Sequence, residues 1–113
     1  MESENDDIVF IYTTFADTQQ ARRLGAKLIR EKLAGCVNIF PGMVSLYEWE
    51  GEMQTGNEAA MIIKTRRKRL EAALCRAREL HPYETPALMV LPCEFTDETY
   101  AKWLISATPA GGS

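Results

Sequence analysis

The chain predicts an α+β fold: a split βαβ sandwich with both helices on one face of an antiparallel sheet. Three observations carry this. Ile8–Tyr12 and Ala59–Ile63 are uninterrupted apolar runs with the composition of central strands. Each is followed by a segment with apolar residues at helical spacing, one opening at Asp17 and one at Thr65. The stretch between the first helix and the second run reads as a hairpin turning at Glu50-Gly51. The order is therefore β-α-β-β-α-β with a terminal helix, two βα units joined by a hairpin.

The elements follow in chain order. Ile8–Tyr12 has no polar interruption and is expected to be buried on both faces. Asp17 is a good N-cap, and Gln20 three residues on completes a capping-box pattern. Ala21, Leu24, Gly25, Leu28, Ile29 and Leu33 then mark an amphipathic helix of about four turns, with Gly35 in the C′ role. From Val37 to about Trp49 the chain is extended, and its apolar phase changes at Pro41-Gly42. A proline cannot donate to a ladder, so this strand is predicted to bulge there and to lie at a sheet edge. Thr65 is expected to cap the second helix, whose buried stripe is Leu70, Ala73, Leu74, Ala77 and Leu80, with Arg66–Arg69 in its first turn. Ala87–Leu91 is the last strand, and Asp97 caps a short helix carrying Tyr100, Trp103, Leu104 and Ala107 on one face.

In this ferredoxin-like arrangement the first and third strands are central, and one face of the sheet has no helix over it. Met43, Leu46, Tyr47, Trp49, Met53 and Met61 offer more apolar surface than a small monomer should expose. A long edge strand ending in aromatics also invites pairing with another chain. Both features predict a homo-oligomer with the sheet faces turned inward.

Length and composition fit one globular domain over residues 7–108, with a disordered acidic tail at 1–6 and a flexible tail at 109–113. Apolar residues at 46% and charged residues at 26% are the ordinary balance of a soluble domain. The net charge of −3 argues against nucleic acid as the main partner, which demands a basic face. The acidic start is unlike a secretory or mitochondrial leader, and no apolar run approaches the roughly 20 residues that span a bilayer, so a cytoplasmic address is expected, with no membrane partner. Cys36, Cys75 and Cys93 are odd in number and widely spaced, which predicts neither a disulfide framework nor a structural zinc site.

The chemistry-bearing segment is His81-Pro82-Tyr83-Glu84-Thr85-Pro86, which holds the single histidine of the chain. Its two prolines end a helix and start a strand while presenting an imidazole, a phenol and a carboxylate together. Neutral imidazole is the commonest metal ligand, and a hydrogen-bonded structural role is the alternative. Lys64 follows four apolar residues on a central strand, so its ammonium requires an acceptor, for which Glu84, Tyr47 or an incoming carboxylate would serve, unless it reaches solvent at the strand end. No nucleophile elbow, Walker loop or glycosidase-type carboxylate pair is present, and no enzyme activity is expected.

Cys36-Val37-Asn38-Ile39-Phe40-Pro41-Gly42, Ser45-Leu46-Tyr47-Glu48-Trp49-Glu50-Gly51, Ile62-Ile63-Lys64-Thr65, His81-Pro82-Tyr83-Glu84-Thr85-Pro86 and Tyr100-Ala101-Lys102-Trp103-Leu104 together resemble the CutA divalent-ion tolerance family over roughly residues 8–107. The resemblance implies a ferredoxin-like homotrimer, similar in architecture to PII signalling proteins, and an association with tolerance to copper and other divalent ions. On that basis a weak metal site is expected around His81, Glu84 and Cys36, with Cu2+ or another divalent cation as its ion. Tyr47, Trp49, Lys64 and Tyr83 are expected to line a pocket between subunits. The alternative is a PII-like sensor that binds a small anion between subunits through Lys64 and Arg66–Arg69. Thr13 and Leu80 occupy places where some family members have a thiol and a second histidine, which argues against tight copper binding by this chain.

Overall fold

The computed structural model describes residues 7–110, so the expected acidic tail and residues 111–113 lie outside the described residues. The elements run β1 (Ile8–Phe15), α1 (Thr18–Arg30), β2 (Cys36–Trp49), β3 (Glu52–Arg66), α2 (Arg67–Leu80), β4 (Met89–Pro92) and α3 (Glu98–Ala107). All strand pairs are antiparallel, in the order β2-β3-β1-β4. The two apolar runs are therefore central and the proline-bearing strand is an edge, as the sequence predicts.

The core lies between the sheet and α1 and α2, where Ile11, Phe15, Leu24, Leu28, Met61 and Ile63 pack together. Strand periodicity decides which side chains enter it. On β1, Val9, Ile11, Thr13 and Phe15 are fully buried, while Phe10, Tyr12 and Thr14 on the opposite face are half-buried. The expectation that β1 is covered on both faces fails within one chain, because both helices lie on the same side. Met61 likewise faces the helices and is fully buried, so it does not belong to the exposed apolar set.

Helix α1 opens as predicted. Asp17 Oδ1 accepts from the Gln20 N–H at 2.9 Å, and Gln20 Oε1 accepts from the Ala16 N–H at 3.1 Å. Its end differs. The Lys32 N–H donates to the Ile29 carbonyl and the Leu33 N–H to the Leu28 carbonyl, a Schellman closure with Lys32 at φ 64° in the left-handed position. Gly35 lies beyond this closure, and its task is close packing: a Cβ there would collide with Leu104 Cδ1 of α3. A bidentate pair of Arg76 with Glu31, at 2.9 Å for both contacts, ties α2 to α1.

Thr65 does not cap α2. Strand β3 continues through it, and its side chain points into the core, donating to the Leu33 carbonyl at 2.8 Å. Arg66 stands at the N-cap without a side-chain cap bond, its Nε donating instead to the Thr108 carbonyl at 2.8 Å. The Arg67 N–H is satisfied by the Asp7 carbonyl at 2.8 Å. Strand β4 is shorter than the expected Ala87–Leu91 and exposed along its length, because it is an edge paired only with Val9–Tyr12. Helix α3 is capped by Asp97 and buries Leu104 fully.

The β2–β3 hairpin outgrows the rest of the sheet. β1 ends where Phe15 meets Ala59, so Met43–Trp49 and Glu52–Glu58 pair only with each other. The register shifts between Phe40 and Met43, where Pro41 and Gly42 (φ 75°) form the predicted bulge. At the tip, Glu50 and Gly51 both have positive φ, 51° and 81°, as a two-residue type I′ turn requires. This arm gives the molecule its 48 Å length against widths of 26 and 21 Å.

Candidate functional site

The two prolines of His81–Pro86 turn the chain from α2 toward β4, and His81 is the C-cap residue of α2 in extended backbone. That geometry drives the imidazole inward, where it is 8% exposed. It stacks on Phe15, with ring centres 4.5 Å apart and planes 7° from parallel, and meets the Tyr83 ring at 5.0 Å. Nδ1 accepts from the Tyr83 N–H at 3.1 Å. The ring proton therefore sits on Nε2, which faces the Thr14 carbonyl at 2.9 Å and Thr13 Oγ1 at 3.0 Å. Burial holds the His81 pKa below the ordinary histidine value, opposed by the bond to the Thr14 carbonyl. Within the chain this histidine is hydrogen-bonded through both ring nitrogens.

Tyr83 extends the network. Its hydroxyl donates to Glu58 Oε2 at 3.0 Å, and Glu58 Oε1 accepts from Ser45 Oγ at 2.7 Å. Burial first, and then the Glu58 carboxylate, raise the Tyr83 pKa to about 12, so the phenol remains a donor throughout the neutral range. The loop after α2 is thereby joined to the base of the β2–β3 arm. Sequence reasoning passed over Thr13 as a hydrogen-bonding partner, and Ser45 and Glu58 as a pair. The available signal for Glu58 was a carboxylate immediately before an apolar strand, just past the end of its neighbour.

The expected metal set is not brought together. Cys36 pairs with Lys64 near the start of β1, whereas His81 lies beneath its far end against Phe15. Glu84 is exposed. Both His81 nitrogens are engaged, and no cluster of three histidine, cysteine or carboxylate side chains suited to a metal occurs among the described residues. These residues do not fit a resident ion within one chain, and the physical reason is the opposite placement of Cys36 and His81 along the sheet.

The expected pocket also divides. Tyr47 lies close enough to Tyr83 to influence its ionisation, but Trp49 sits at the arm tip, 63% exposed. Lys64 belongs to neither place. Its Nζ lies 3.5 Å from the Tyr100 hydroxyl and 5.4 Å from the centre of that ring, so α3 supplies its partner rather than Glu84 or Tyr47. Arg66 leaves the supposed cationic rim for the Thr108 carbonyl. Among the described residues, no helix is long and apolar enough to cross a membrane.

Comparison with known proteins agrees with this architecture. Residues 9–107 match the model of the CutA1 divalent ion tolerance protein family. The chain is 38% identical over 110 residues to the protein CutA 1, chloroplastic, of Oryza sativa, covering 96% of this chain and 62% of that one. It is 41% identical over 103 residues to the divalent-cation tolerance protein CutA of Escherichia coli, covering 91% and 92%. The crystal structure of the divalent ion tolerance protein CutA1 from Ehrlichia chaffeensis superposes with a TM-score of 0.89 at 31% identity, covering 92% of this chain and 97% of that one. The chain thus spans less than two thirds of the chloroplastic relative and nearly all of the bacterial ones. Matched along almost its whole described length, it belongs to the CutA1 divalent ion tolerance protein family.

Proposed function

We propose that this protein acts in divalent-cation tolerance as a homotrimer, its β2–β3 arms and open sheet face turned toward neighbouring subunits. The observation that carries this reading is the arm itself: Val44, Leu46, Trp49 and Met53 are between 60% and 73% exposed. Burying such surface is worth about 25 cal/mol per Å2, and a monomer leaves that free energy unused. The number of subunits comes from the family resemblance, and the apolar arm supplies the reason to assemble.

In this reading, copper or another divalent ion is bound weakly and without a preformed site in one chain, through the exposed Glu84 and the half-buried Cys36. His81 is spent on Thr14 and Tyr83 and takes no part. No catalytic step is assigned. Light scattering after size exclusion tests the assembly, with three chains expected and a single-chain mass overturning it. Isothermal titration with copper into wild type and His81→Ala tests the ion: weak, equal binding is expected, and tight binding lost in the variant would reverse the assignment. Growth of the host across copper concentrations, with and without the gene, tests tolerance.

A further inference from the structure

The cations of this chain are gathered on one layer. Residues 18–32 and 66–80, which are α1, α2 and their flanks, carry eleven of the thirteen Lys and Arg residues and three of the sixteen acidic ones. That leaves eight net positive charges there, while two lysines against thirteen acidic residues leave the rest of the chain eleven charges negative. We infer that this helix layer is a docking face for an acidic protein segment, one apolar side chain of which seats in the groove between Arg23, Lys27, Leu80 and Pro82. Neither metal tolerance nor assembly uses the face. It belongs to a single chain and lies on the side of the sheet opposite the open one.

Part of this charge is already used. Arg76 pairs with Glu31 and Glu79, and Arg66 is buried with its Nε on the Thr108 carbonyl. Arg22, Arg23, Lys27 and Arg30 stay exposed on α1. Arg23, Lys27 and Arg30 follow at i, i+4 and i+7 on one stripe of the helix, and like charges at that spacing repel. Glu31, the single acidic residue of 18–32, has both carboxylate oxygens on Arg76. Among the described residues Arg23 and Lys27 form neither an ion pair nor a hydrogen bond. The stripe therefore keeps a positive field that only an outside anion can answer.

The groove decides the kind of partner. Gln20, Arg23, Leu24 and Lys27 of α1, with Leu80 and Pro82 where α2 ends, line a space of about 120 Å3 with an apolar floor and two cations on its rim. An apolar cavity of about 150 Å3 takes a benzene ring, so this one suits an aliphatic side chain such as leucine. Carboxylates on either side of that side chain would meet the two cations, Arg23 through paired N–H donors. Arg clusters read acidic motifs in this way. Nucleic acid fits less well: the two segments contain no Phe, Tyr or Trp on which an unpaired base could stack, and phosphates have no use for an apolar floor. An anionic membrane is also disfavoured. Among the described residues Ile29 is the one large apolar side chain exposed on these helices to enter it.

Fluorescence anisotropy of the full chain with a labelled synthetic peptide, Asp-Glu-Glu-Leu-Glu-Glu-Asp, tests the inference. Binding should saturate and weaken by about tenfold between about 50 and about 200 mM salt, as screening removes the attraction; an absent or salt-indifferent signal overturns it. Replacing the peptide's leucine by alanine should weaken binding by about fivefold or more, and equal affinity for the two peptides overturns the groove as anchor. This pair of probes needs no variant of the protein. Arg23→Glu with Lys27→Glu should weaken the leucine peptide by about thirtyfold or more, with the helical circular dichroism unchanged because both residues are exposed. Unaltered affinity in that variant overturns the face. A short DNA duplex and phosphatidylserine vesicles serve as rival ligands: if either binds while the peptide does not, the partner is of another class and the inference falls. A single-chain mass would refute the trimer and leave this readout intact.

Discussion

Gly35 and Leu104 are packed so closely that a methyl group on Gly35 would overlap Leu104 Cδ1. The contact is how α3 reaches the main body: Leu104 is fully buried, and the glycine just before β2 leaves the space it fills. Gly35→Ala should destabilise the protein by about 1–3 kcal/mol through overpacking. The urea midpoint measures this, and Leu104→Ala should partly rescue the double variant, since the two side chains compete for one volume.

Thr65 supplies a second packing test. Its hydroxyl donates to the buried Leu33 carbonyl at 2.8 Å. Thr65→Val keeps the shape and removes the donor, so a loss of about 1–3 kcal/mol is expected. Had Thr65 been a helix cap, valine would instead fray α2, so helical content by circular dichroism separates the two roles.

Lys32 occupies the left-handed position that closes α1, at φ 64°. An L-residue there carries a steric cost that glycine avoids. Lys32→Gly should raise stability by up to about 1 kcal/mol, less the extra freedom of glycine in the unfolded chain. A thermal midpoint that falls would show that the lysine side chain contributes more than its backbone costs.

The pH dependence of stability follows from His81. Its folded pKa lies below the unfolded value of 6.5, so the unfolded chain binds the proton first. The contribution of the neutral imidazole is complete above about pH 6.5 and is lost as the pH falls toward the folded pKa. Denaturant midpoints of wild type and His81→Asn at pH 8, 7, 6 and 5 should converge toward the acid end. Parallel curves would place the titrating group elsewhere.

The exposed arm predicts the behaviour of its apolar residues. Trp49→Glu with Met53→Lys replaces side chains 63% and 73% exposed on opposite faces of the hairpin. If the arm is the assembly surface, the dissociation constant should rise by about thirtyfold or more, the equivalent of about 2 kcal/mol from lost hot-spot contacts. The helical signal should stay unchanged, since neither residue touches the core. Scattering across a dilution series measures it.

Much of the architecture was legible because it rests on local periodicity. The runs at Ile8 and Ala59, the Asp17 capping box, the Pro41-Gly42 bulge and the Glu50-Gly51 turn are each set by neighbours in sequence. Thr65 and Gly35 misled for one reason: a threonine before a helix and a glycine after one have local meanings as caps. Here a carbonyl 32 residues away claimed the first, and a leucine of the last helix claimed the second.

The candidate site divides in the same way. The double-proline corner and its histidine could be picked out from composition and spacing alone. By itself the sequence determined the strand and helix order, the central and edge strands, the bulged arm and the family. The tertiary structure alone decided that His81 faces Thr13, Thr14 and Phe15 rather than Cys36 or Glu84, and that Tyr83 reaches Glu58. Those pairings depend on strand register and on which helix covers which face, and contacts across such distances are encoded in no local stretch of chain. The His81–Pro86 corner is thus joined to the arm by hydrogen bonds, and both nitrogens of its imidazole are engaged within the chain.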